Sequence, residues 1–315
     1  MPSFRRAVLL YNPSSGQRRA KRLGLVEAAA AVFKSKGIEV ELEPTRAANS
    51  AGEQARAAIA RGCDAVFIAG GDGTINEAIQ GIVGSNVIVG TIPLGTGNVL
   101  ARELGIPFIP SDAAAALADA PEINVPIAMC ECVGRDGAPV RRHFLIIAGA
   151  GPDAHMAYRI TAAHKKYLGI AAYGGELLRL LFAYHYAMFD VSYTGPESSG
   201  TFGATQLFAS RIPRIRPMLR LFTPGAGLLR NDLRVLAFKT RRRLSFFRYV
   251  MGALVGRHVR PRDVDLFCAT EMKITPRGET PRLYVEVDGD CIGRLPATIA
   301  MTPHSIRLLA PHLQH

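Results

Sequence analysis

The sequence predicts an N-terminal α/β domain with a parallel sheet, followed by a mainly antiparallel β-rich domain that forms a sandwich or open barrel. Three observations predict this arrangement. The length of 315 residues suits two domains, the first hundred residues repeat strand, turn and helix about four times, and short strand patterns dominate from about residue 123. We place the domains at 1–128 and 129–315, and we leave open a return of the last strands to the first domain.

In the first domain, each strand pattern ends in a turn and is followed by a helix pattern. Strands are predicted at 5–11, 38–42, 65–69 and 86–92, and helices at 17–36, 50–61, 76–83, 99–104 and 111–120. Thr74 is predicted as the N-cap of the third helix, because a hydroxyl there can accept a bond from a first-turn amide.

The second domain is predicted to consist mostly of strands, at 123–132, 140–148, 189–194, 200–209, 233–239, 271–275, 283–288, 298–302 and 305–309. Helices are predicted near 153–165, 171–187 and 244–256. The stretch 177–189 is apolar on nearly every face, which favours a buried helix. The alternative is that it lines a site for an apolar ligand.

Three strand ends of the first domain carry loops rich in Gly, Ser, Thr or Asn, at 12–16, 70–76 and 95–98. Parallel strands present their carboxyl ends at one edge of a sheet, and such loops let backbone N–H groups approach a phosphate. Asp72 lies among the glycines of the second loop. A carboxylate there repels phosphate unless a metal ion or a transferable proton intervenes, so we interpret Asp72 as a functional residue, with a turn aspartate as the alternative.

The formal net charge of +12 is concentrated in one segment. Residues 211–262 contain fourteen Arg or Lys residues and one acid, which gives that segment a charge of +13. Such a surface favours an anionic partner, either nucleic acid or membrane head groups. An apolar, aromatic helix pattern follows the triple arginine at 241–243, which favours a membrane interface. We expect no nucleic-acid partner, because it would leave the three loops unexplained.

Composition also predicts the location of the protein. No run of about 18 apolar residues appears, and the N-terminus has no signal-peptide pattern. The five cysteines lack zinc-ligand spacing, so we expect reduced thiols and no structural zinc. The protein is therefore expected to be cytoplasmic and peripherally associated with a membrane.

The motifs Asn12-Pro-Ser-Ser-Gly16, Gly70-Gly-Asp-Gly-Thr-Ile-Asn-Glu77 and Pro93-Leu-Gly-Thr-Gly-Asn98 together resemble the diacylglycerol kinase catalytic-domain family. That family includes sphingosine kinases and soluble bacterial lipid kinases. The stretches 149–154 and 287–290 match its later motifs more loosely. The resemblance implies an NAD kinase- and phosphofructokinase-like first domain, a lipid-binding β-sandwich, ATP and Mg²⁺ as cofactors and a lipid alcohol as substrate. It also leaves a homodimer open.

The resemblance implies roles for single residues. Asp290 stands where the family has the Glu usually assigned as proton acceptor, and Asp72 competes for this catalytic role and is placed near the Mg²⁺. Nucleotide contacts are carried over to Asn12, Pro13, Ser14, Ser15, Gly16, Thr45, Gly70, Gly71, Asp72, Gly73, Thr74, Ile75, Asn76, Glu77 and Thr96.

Three departures from the family pattern matter. Asp290 is one methylene shorter than Glu, which shortens its reach by about 1.5 Å. Val99 stands where many members have an acid beside the third loop. Many bacterial members also carry an acidic run that binds a structural Mg²⁺ in the second domain, whereas the corresponding stretch 228–235 has only Asp232. We predict that this structural metal site is missing or altered.

The sequence therefore predicts an ATP-dependent kinase that transfers the γ-phosphate to a lipid hydroxyl such as that of diacylglycerol. One alternative is a nucleotide-regulated, membrane-associated protein with little catalysis, which Val99 and Asp290 would favour. Another is an NAD kinase-like enzyme, but its soluble acceptor would leave the basic and apolar stretch 241–255 unexplained.

Overall fold

The computed structural model of the chain describes residues 4–13, 22–159, 186–215, 222–254, 262–278 and 283–313. The chain divides into two compact units. The first unit comprises Met1–Ile127 and Thr302–His315, and the second comprises Ala128–Met301. Because the last residues belong to the first unit, the chain leaves that unit once and returns to it at its end.

The first unit is built on a parallel sheet with helices between its strands. Its elements are β1 (Arg6–Tyr11), α1 (Arg22–Ser35), β2 (Glu39–Pro44), α2 (Ala51–Ala60), β3 (Ala65–Gly70), α3 (Asp72–Ile82), β4 (Ile88–Pro93), α4 (Val99–Glu103) and α5 (Pro110–Ala118). The strand order is β2-β1-β3-β4, and Arg307 and Leu308 of the last strand pair in parallel beside β4. Every residue of β3 and β4 is buried, as expected for strands covered on both faces.

The second unit is antiparallel throughout its described strand pairs. Its strands are β5 (Glu122–Val133), β6 (Pro139–Phe144), β7 (Ile147–Ala150), β8 (Phe189–Thr194), β9 (Ser199–Ala204), β10 (Gln206–Ser210), β11 (Leu233–Phe238), β12 (Val264–Ala269), β13 (Glu271–Pro276), β14 (Tyr284–Val287) and β15 (Asp290–Leu309), and its helices are α6 (Pro152–Arg159) and α7 (Arg243–Leu254). The start of β5, before Ala128, and the end of β15, after Met301, belong to the first unit. One run has the order β12-β11-β10-β7-β14-β15, and β13, β8 and β9 continue from β15. Each of these strands contributes to one buried apolar cluster. The predicted fold class, a parallel α/β domain followed by an antiparallel β domain, is confirmed.

Several predicted elements differ from the structure. The strand β12 was not predicted. The predicted strand 140–148 is two strands separated at Leu145 and Ile146, and the predicted strand 200–209 is divided at Thr205, whereas the two predicted strands after residue 298 belong to β15. Thr74 is not the N-cap of α3, because this helix already begins at Asp72, with Gly71 as its N-cap. The predicted helix 171–187 lies almost wholly outside the described residues.

Within the described part of the basic segment 211–262, Arg211 is fully buried. The Arg211 guanidinium donates hydrogen bonds to the carbonyl oxygens of Leu228, Arg230 and Asp232, at 2.5, 2.8 and 3.3 Å. Burial lowers the pKa of Arg211 to about 10, although the charge of Asp232 opposes this change. Arg211 therefore stays charged near neutral pH and fixes the loop that precedes β11.

Asp232 itself is engaged by a different arginine. Its carboxylate accepts two hydrogen bonds from Arg230, both at 2.6 Å, and this interaction lowers the pKa of the Asp232 carboxyl. Across the described residues, no three His, Cys, Asp or Glu side chains lie together as metal ligands. In the stretch 228–235, the carboxylate of Asp232 is thus already bound by Arg230, and three carbonyls are bound by Arg211. These donors therefore do not fit a structural Mg²⁺.

Among the described helices, none has the length and apolar character needed to span a bilayer.

We expect Arg211→Met to lower the free energy of unfolding by about 2–3 kcal/mol, because buried carbonyls left without a donor cost about 1–3 kcal/mol. Urea unfolding measures the change, and Arg262→Met, at an exposed position, is the control. Because Arg211 and Arg230 already engage the donors of the stretch 228–235, EDTA should leave the Tm of the wild type unchanged. A clear fall in Tm with EDTA would contradict this interpretation.

Candidate phosphate-binding edge and acceptor hairpin

The loops that follow β1, β2, β3 and β4 meet at the carboxyl edge of the first unit. Asn12 N–H donates to the Ala69 carbonyl at 3.1 Å, and Thr45 N–H donates to the Tyr11 carbonyl at 2.9 Å. Leu94 N–H donates to the Gly70 carbonyl at 2.9 Å. These bonds connect each loop to a neighbouring strand end, so the structure brings together the described residues among those predicted for the nucleotide.

The second and third loops touch backbone to backbone. A Cβ built on Gly95 would lie 2.4 Å from the Gly71 Cα, and one built on Gly71 would lie 3.2 Å from the Gly95 Cα. The third loop is closed by Asn98, whose side-chain amide accepts from Gly95 N–H and donates to the Gly95 carbonyl, both at 2.9 Å. Asn98 has a φ of 46°, in the region that Asn tolerates better than most residues. A side chain at Gly95 would therefore force the backbone of the second loop to move, whereas one at Gly71 would make a tight contact.

Asp72 connects the second loop to α4. It is the first residue of α3, and its Oδ1 accepts a hydrogen bond from Leu100 N–H at 3.2 Å. Burial raises the pKa of the Asp72 carboxyl above its usual 3.8, and the backbone amides at the start of α4 oppose that rise. A Cβ on Gly97 would lie 3.0 Å from Oδ2, so the third loop also approaches the second oxygen. Asp72 thus has a structural contact and also places a carboxyl group at the phosphate-compatible edge.

The first loop is held by two side chains. The Asn12 side-chain amide donates to Thr74 Oγ1 at 3.3 Å, which connects the loop to the first turn of α3. The buried guanidinium of Arg22 donates to the carbonyls of Asn12 and Pro13, both at 3.1 Å. Three residues predicted for the nucleotide, Ser14, Ser15 and Gly16, lie outside the described residues.

A cavity of about 400 Å³ opens beside the third loop in the first unit. This volume falls in the range of small-molecule sites. Its lining combines one arginine with apolar side chains and the third loop, and consists of Arg22, Leu25, Pro93, Leu94, Gly95, Thr96, Asn98, Phe108, Ile109 and Pro110. Among the described residues of this lining, Thr96 is the one that the sequence assigned to the nucleotide.

In the second unit, the two carboxylates beside Gly289 have different environments. Asp288 and Gly289 form the turn between β14 and β15, with φ values of 49° and 85°. The Asp288 carboxylate accepts hydrogen bonds from the backbone of Ile146 and Ile147, at 3.1 and 2.9 Å, so it holds the break between β6 and β7. Asp290 begins β15 and is exposed. Asp288 therefore serves the turn, and Asp290 is accessible to a ligand.

Glu286 is a further acidic residue near this turn, and the sequence analysis did not identify it. It is only 4% exposed, and a Cβ on Gly149 would lie 3.0 Å from its Oε1. Burial, followed by the charge of Asp153 and a hydrogen bond with it, raises the pKa of Glu286 well above its usual 4.5. Its surroundings therefore favour the protonated form of Glu286, which can donate a hydrogen bond to Asp153. The signal in the sequence is a Glu between two valines of a short buried strand.

We expect Glu286→Gln to gain stability relative to the wild type as the pH rises. The pKa of Glu286 is higher in the folded than in the unfolded state, so its contribution to stability is lost as the pH rises above about 4.5. Gln cannot ionise and keeps a donor for Asp153. The difference in Tm should grow in favour of the variant from about pH 5 to about pH 8. Glu271→Gln, at an exposed position of the same unit, is the matched control. A difference in Tm between Glu286→Gln and the wild type that stays constant with pH would contradict the raised pKa of Glu286.

The acidic groups limit what could hold a metal. Mg²⁺ is commonly bound by one or two carboxylates together with substrate phosphates. Asp72 offers one carboxylate at the phosphate-compatible edge, which fits an ion that arrives with a nucleotide. Val99 supplies no second ligand at the start of α4.

Comparison with known proteins agrees with this arrangement. The model of the diacylglycerol kinase catalytic domain matches residues 6–130, and the model of the YegS C-terminal NAD kinase beta sandwich-like domain matches residues 147–310. The diacylglycerol kinases of Bacillus subtilis (strain 168) and Mycobacterium tuberculosis (strain ATCC 25618 / H37Rv) are 26% and 28% identical over 312 residues. These alignments cover 98% and 96% of this chain and 97% and 94% of the relatives.

Solved structures share the fold. The crystal structure of a diacylglycerol kinase from Bacillus anthracis str. Sterne superposes with a TM-score of 0.66 at 17% identity and covers 98% of both chains. Yeast NADH kinase complexed with NADH superposes with a TM-score of 0.52 at 11% identity, over 98% of this chain and 84% of the other. Because the two family models together cover most of the sequence, the chain belongs to the diacylglycerol kinase catalytic-domain family of lipid kinases.

Proposed function

We propose that this protein transfers the γ-phosphate of ATP to the hydroxyl of a lipid such as diacylglycerol. The observation that carries the proposal is the edge of the first unit, where the second and third loops meet at Gly71 and Gly95. The names of the curated relatives support the choice of a lipid acceptor.

On the nucleotide side, the proposed phosphate site uses backbone groups. The N-terminus of α3, an eleven-residue helix, favours a negative charge, and the glycines before it allow close approach of phosphate oxygens. Asn12, Thr45 and Thr96 would add side-chain contacts from the adjoining loops. Phosphoryl transfer depends mainly on positioning and charge neutralisation, which suits such a site.

Mg²⁺ bound to the nucleotide would neutralise phosphate charge, with Asp72 as its protein ligand. Asp72 keeps one oxygen bonded to the start of α4, so the orientation of its carboxylate is set before any ligand binds. Its raised pKa follows from burial, and a nearby cation would favour its ionised form.

On the acceptor side, Asp290 would accept the proton of the lipid hydroxyl. It is exposed at the start of β15, and the Asp288–Gly289 turn beside it is held by backbone bonds to Asp288. A general base of this kind contributes about 10²–10⁴-fold to a rate. The basic segment 211–262 would attract the protein to an anionic membrane that contains the acceptor.

One alternative has a specific observation in its favour. The shared fold with yeast NADH kinase allows a soluble dinucleotide acceptor. A transfer assay with γ-labelled ATP separates the two functions when diacylglycerol, a sphingoid base and NAD⁺ are offered in parallel, with and without Mg²⁺. We expect label in a lipid; label in NAD⁺ alone would refute the proposal. ATP binding without any transfer would instead favour a nucleotide-regulated membrane protein.

We expect Asp72→Asn to lower kcat by about 10²-fold or more, because it removes the charge that positions the cation and phosphate. The Asn oxygen can still accept from Leu100 N–H, so the Tm should change little. ADP release and thermal unfolding are the measurements, and Asp119→Asn, an exposed position in the same unit, is the control. Wild-type ADP release by Asp72→Asn would contradict the assigned role.

We expect Asp290→Asn to lower kcat by about 10²–10⁴-fold, whereas Asp290→Glu should retain measurable activity because it keeps a carboxylate. Recovery of activity by the carboxylate of Asp290→Glu tests the role beyond the loss of rate, and thermal unfolding verifies that both variants fold. Wild-type kcat in Asp290→Asn would assign the proton acceptor elsewhere.

A further inference from the structure

Among the residues of helix α7 (Arg243–Leu254) whose burial is described, those packed on the second unit lie on one face. Ser245 and Tyr249 of this face are buried. The Tyr249 ring lies 4.3 Å from the Phe238 ring, and its hydroxyl donates to Asp263 at 2.7 Å. These contacts fix the rotation of the helix, and therefore also fix which side chains point outward.

The outward face of α7 is apolar. Leu244, Phe247 and Met251 are 85%, 50% and 45% exposed. Their spacing of three and four residues places them on one side of a helix. An amphipathic helix on a protein surface normally turns polar residues toward water, so this stripe reverses the usual pattern.

Exposed arginines stand at the start of the stripe. Arg241, Arg242 and Arg243 are exposed, and α7 contains no acidic residue. Arg248 differs, because it forms an ion pair with Asp263. The result is an exposed apolar stripe with three cations at one end, which is the composition of helices that lie in a membrane interface.

We propose that this outer face of α7 docks on an anionic lipid leaflet. Leu244, Phe247 and Met251 enter the boundary between head groups and acyl chains, and the arginines at 241–243 contact the head groups. The inference rests on the proposed function, in which the acceptor is a membrane lipid, and it identifies the surface that holds the enzyme on that membrane.

Charge distinguishes this occupant from others. A second copy of the chain in a symmetric dimer would apply the same patch to itself, which would bring two sets of three arginines together. Nucleic acid would satisfy the arginines, but its binding depends mainly on phosphate contacts and leaves the apolar stripe in water. An anionic leaflet complements both parts of the surface.

The first test measures binding to vesicles of phosphatidylglycerol and phosphatidylcholine by co-sedimentation, without ATP. We expect the double variant Leu244→Ser, Phe247→Ser to bind on the order of 100-fold more weakly, since each buried apolar side chain contributes about 10-fold or more. The matched control is Leu229→Ser, which removes a leucine that is 49% exposed in the same basic segment outside α7. Thermal unfolding verifies the fold, and wild-type binding by the double variant would overturn the proposal.

The second test uses the absence of tryptophan from the chain. Phe247→Trp introduces a single fluorophore on the stripe, and Leu229→Trp introduces one at the control position. We expect vesicles to shift the emission of Phe247→Trp to shorter wavelength and brominated lipids to quench it, while Leu229→Trp stays unchanged. An unshifted Phe247→Trp on sedimented vesicles would overturn the proposal, as would dimerisation through α7 without vesicle binding.

The outcomes separate this inference from the proposed function. Vesicle binding through α7 without phosphate transfer to any lipid would support the docking surface and refute the lipid kinase function. Transfer to a lipid, with the fluorophore of Phe247→Trp still in water, would support the kinase function and refute the docking surface.

Discussion

The contact between Gly71 and Gly95 is the constraint on which the first unit's candidate site depends. A single added carbon at Gly95 would lie 2.4 Å from the neighbouring Cα, so this close contact of the two loops depends on glycine at position 95. The contact brings Asp72 to the start of α4 and allows Asn98 to close the third loop. Backbone amides, a helix terminus and one carboxyl group thereby lie together at one sheet edge.

The acidic residues of the two candidate sites differ by environment more than by type. Asp288 accepts backbone hydrogen bonds and stabilises a turn, whereas the burial of Glu286 raises the pKa of its carboxyl. Asp72 is buried but oriented by amides, and Asp290 is exposed. Groups of one chemical class therefore differ here in burial and hydrogen bonding, and these differences support the separate roles proposed for Asp72 and Asp290.

Much of the fold could be predicted from local pattern. The apolar runs of β3 and β4 and the glycine turns between strand and helix are signals of a parallel sheet, and they were interpreted correctly. The start of α3 was not, because Thr74 is the better N-cap by residue type, whereas the tertiary contact at Gly71 decides where the helix begins. The break at Leu145 and Ile146 was also missed, since it depends on Asp288, which is more than 140 residues away in sequence.

The candidate sites show the same limit. The motifs indicated Asp72 and Asp290. No local pattern indicates that Arg211 donates hydrogen bonds to three carbonyls of a loop far from it in sequence, or that Asp153 faces Glu286.

The central claim is that the contact between the second and third loops forms the phosphate site. Calorimetric titration of Mg-ATP into Gly95→Ala tests this claim most directly, with Gly24→Ala as control because a Cβ there meets nothing within 4 Å. The account predicts that Gly95→Ala loses about tenfold or more in ATP affinity, about 1.4 kcal/mol, and that Gly24→Ala binds like the wild type. Wild-type ATP affinity in a folded Gly95→Ala protein would contradict it.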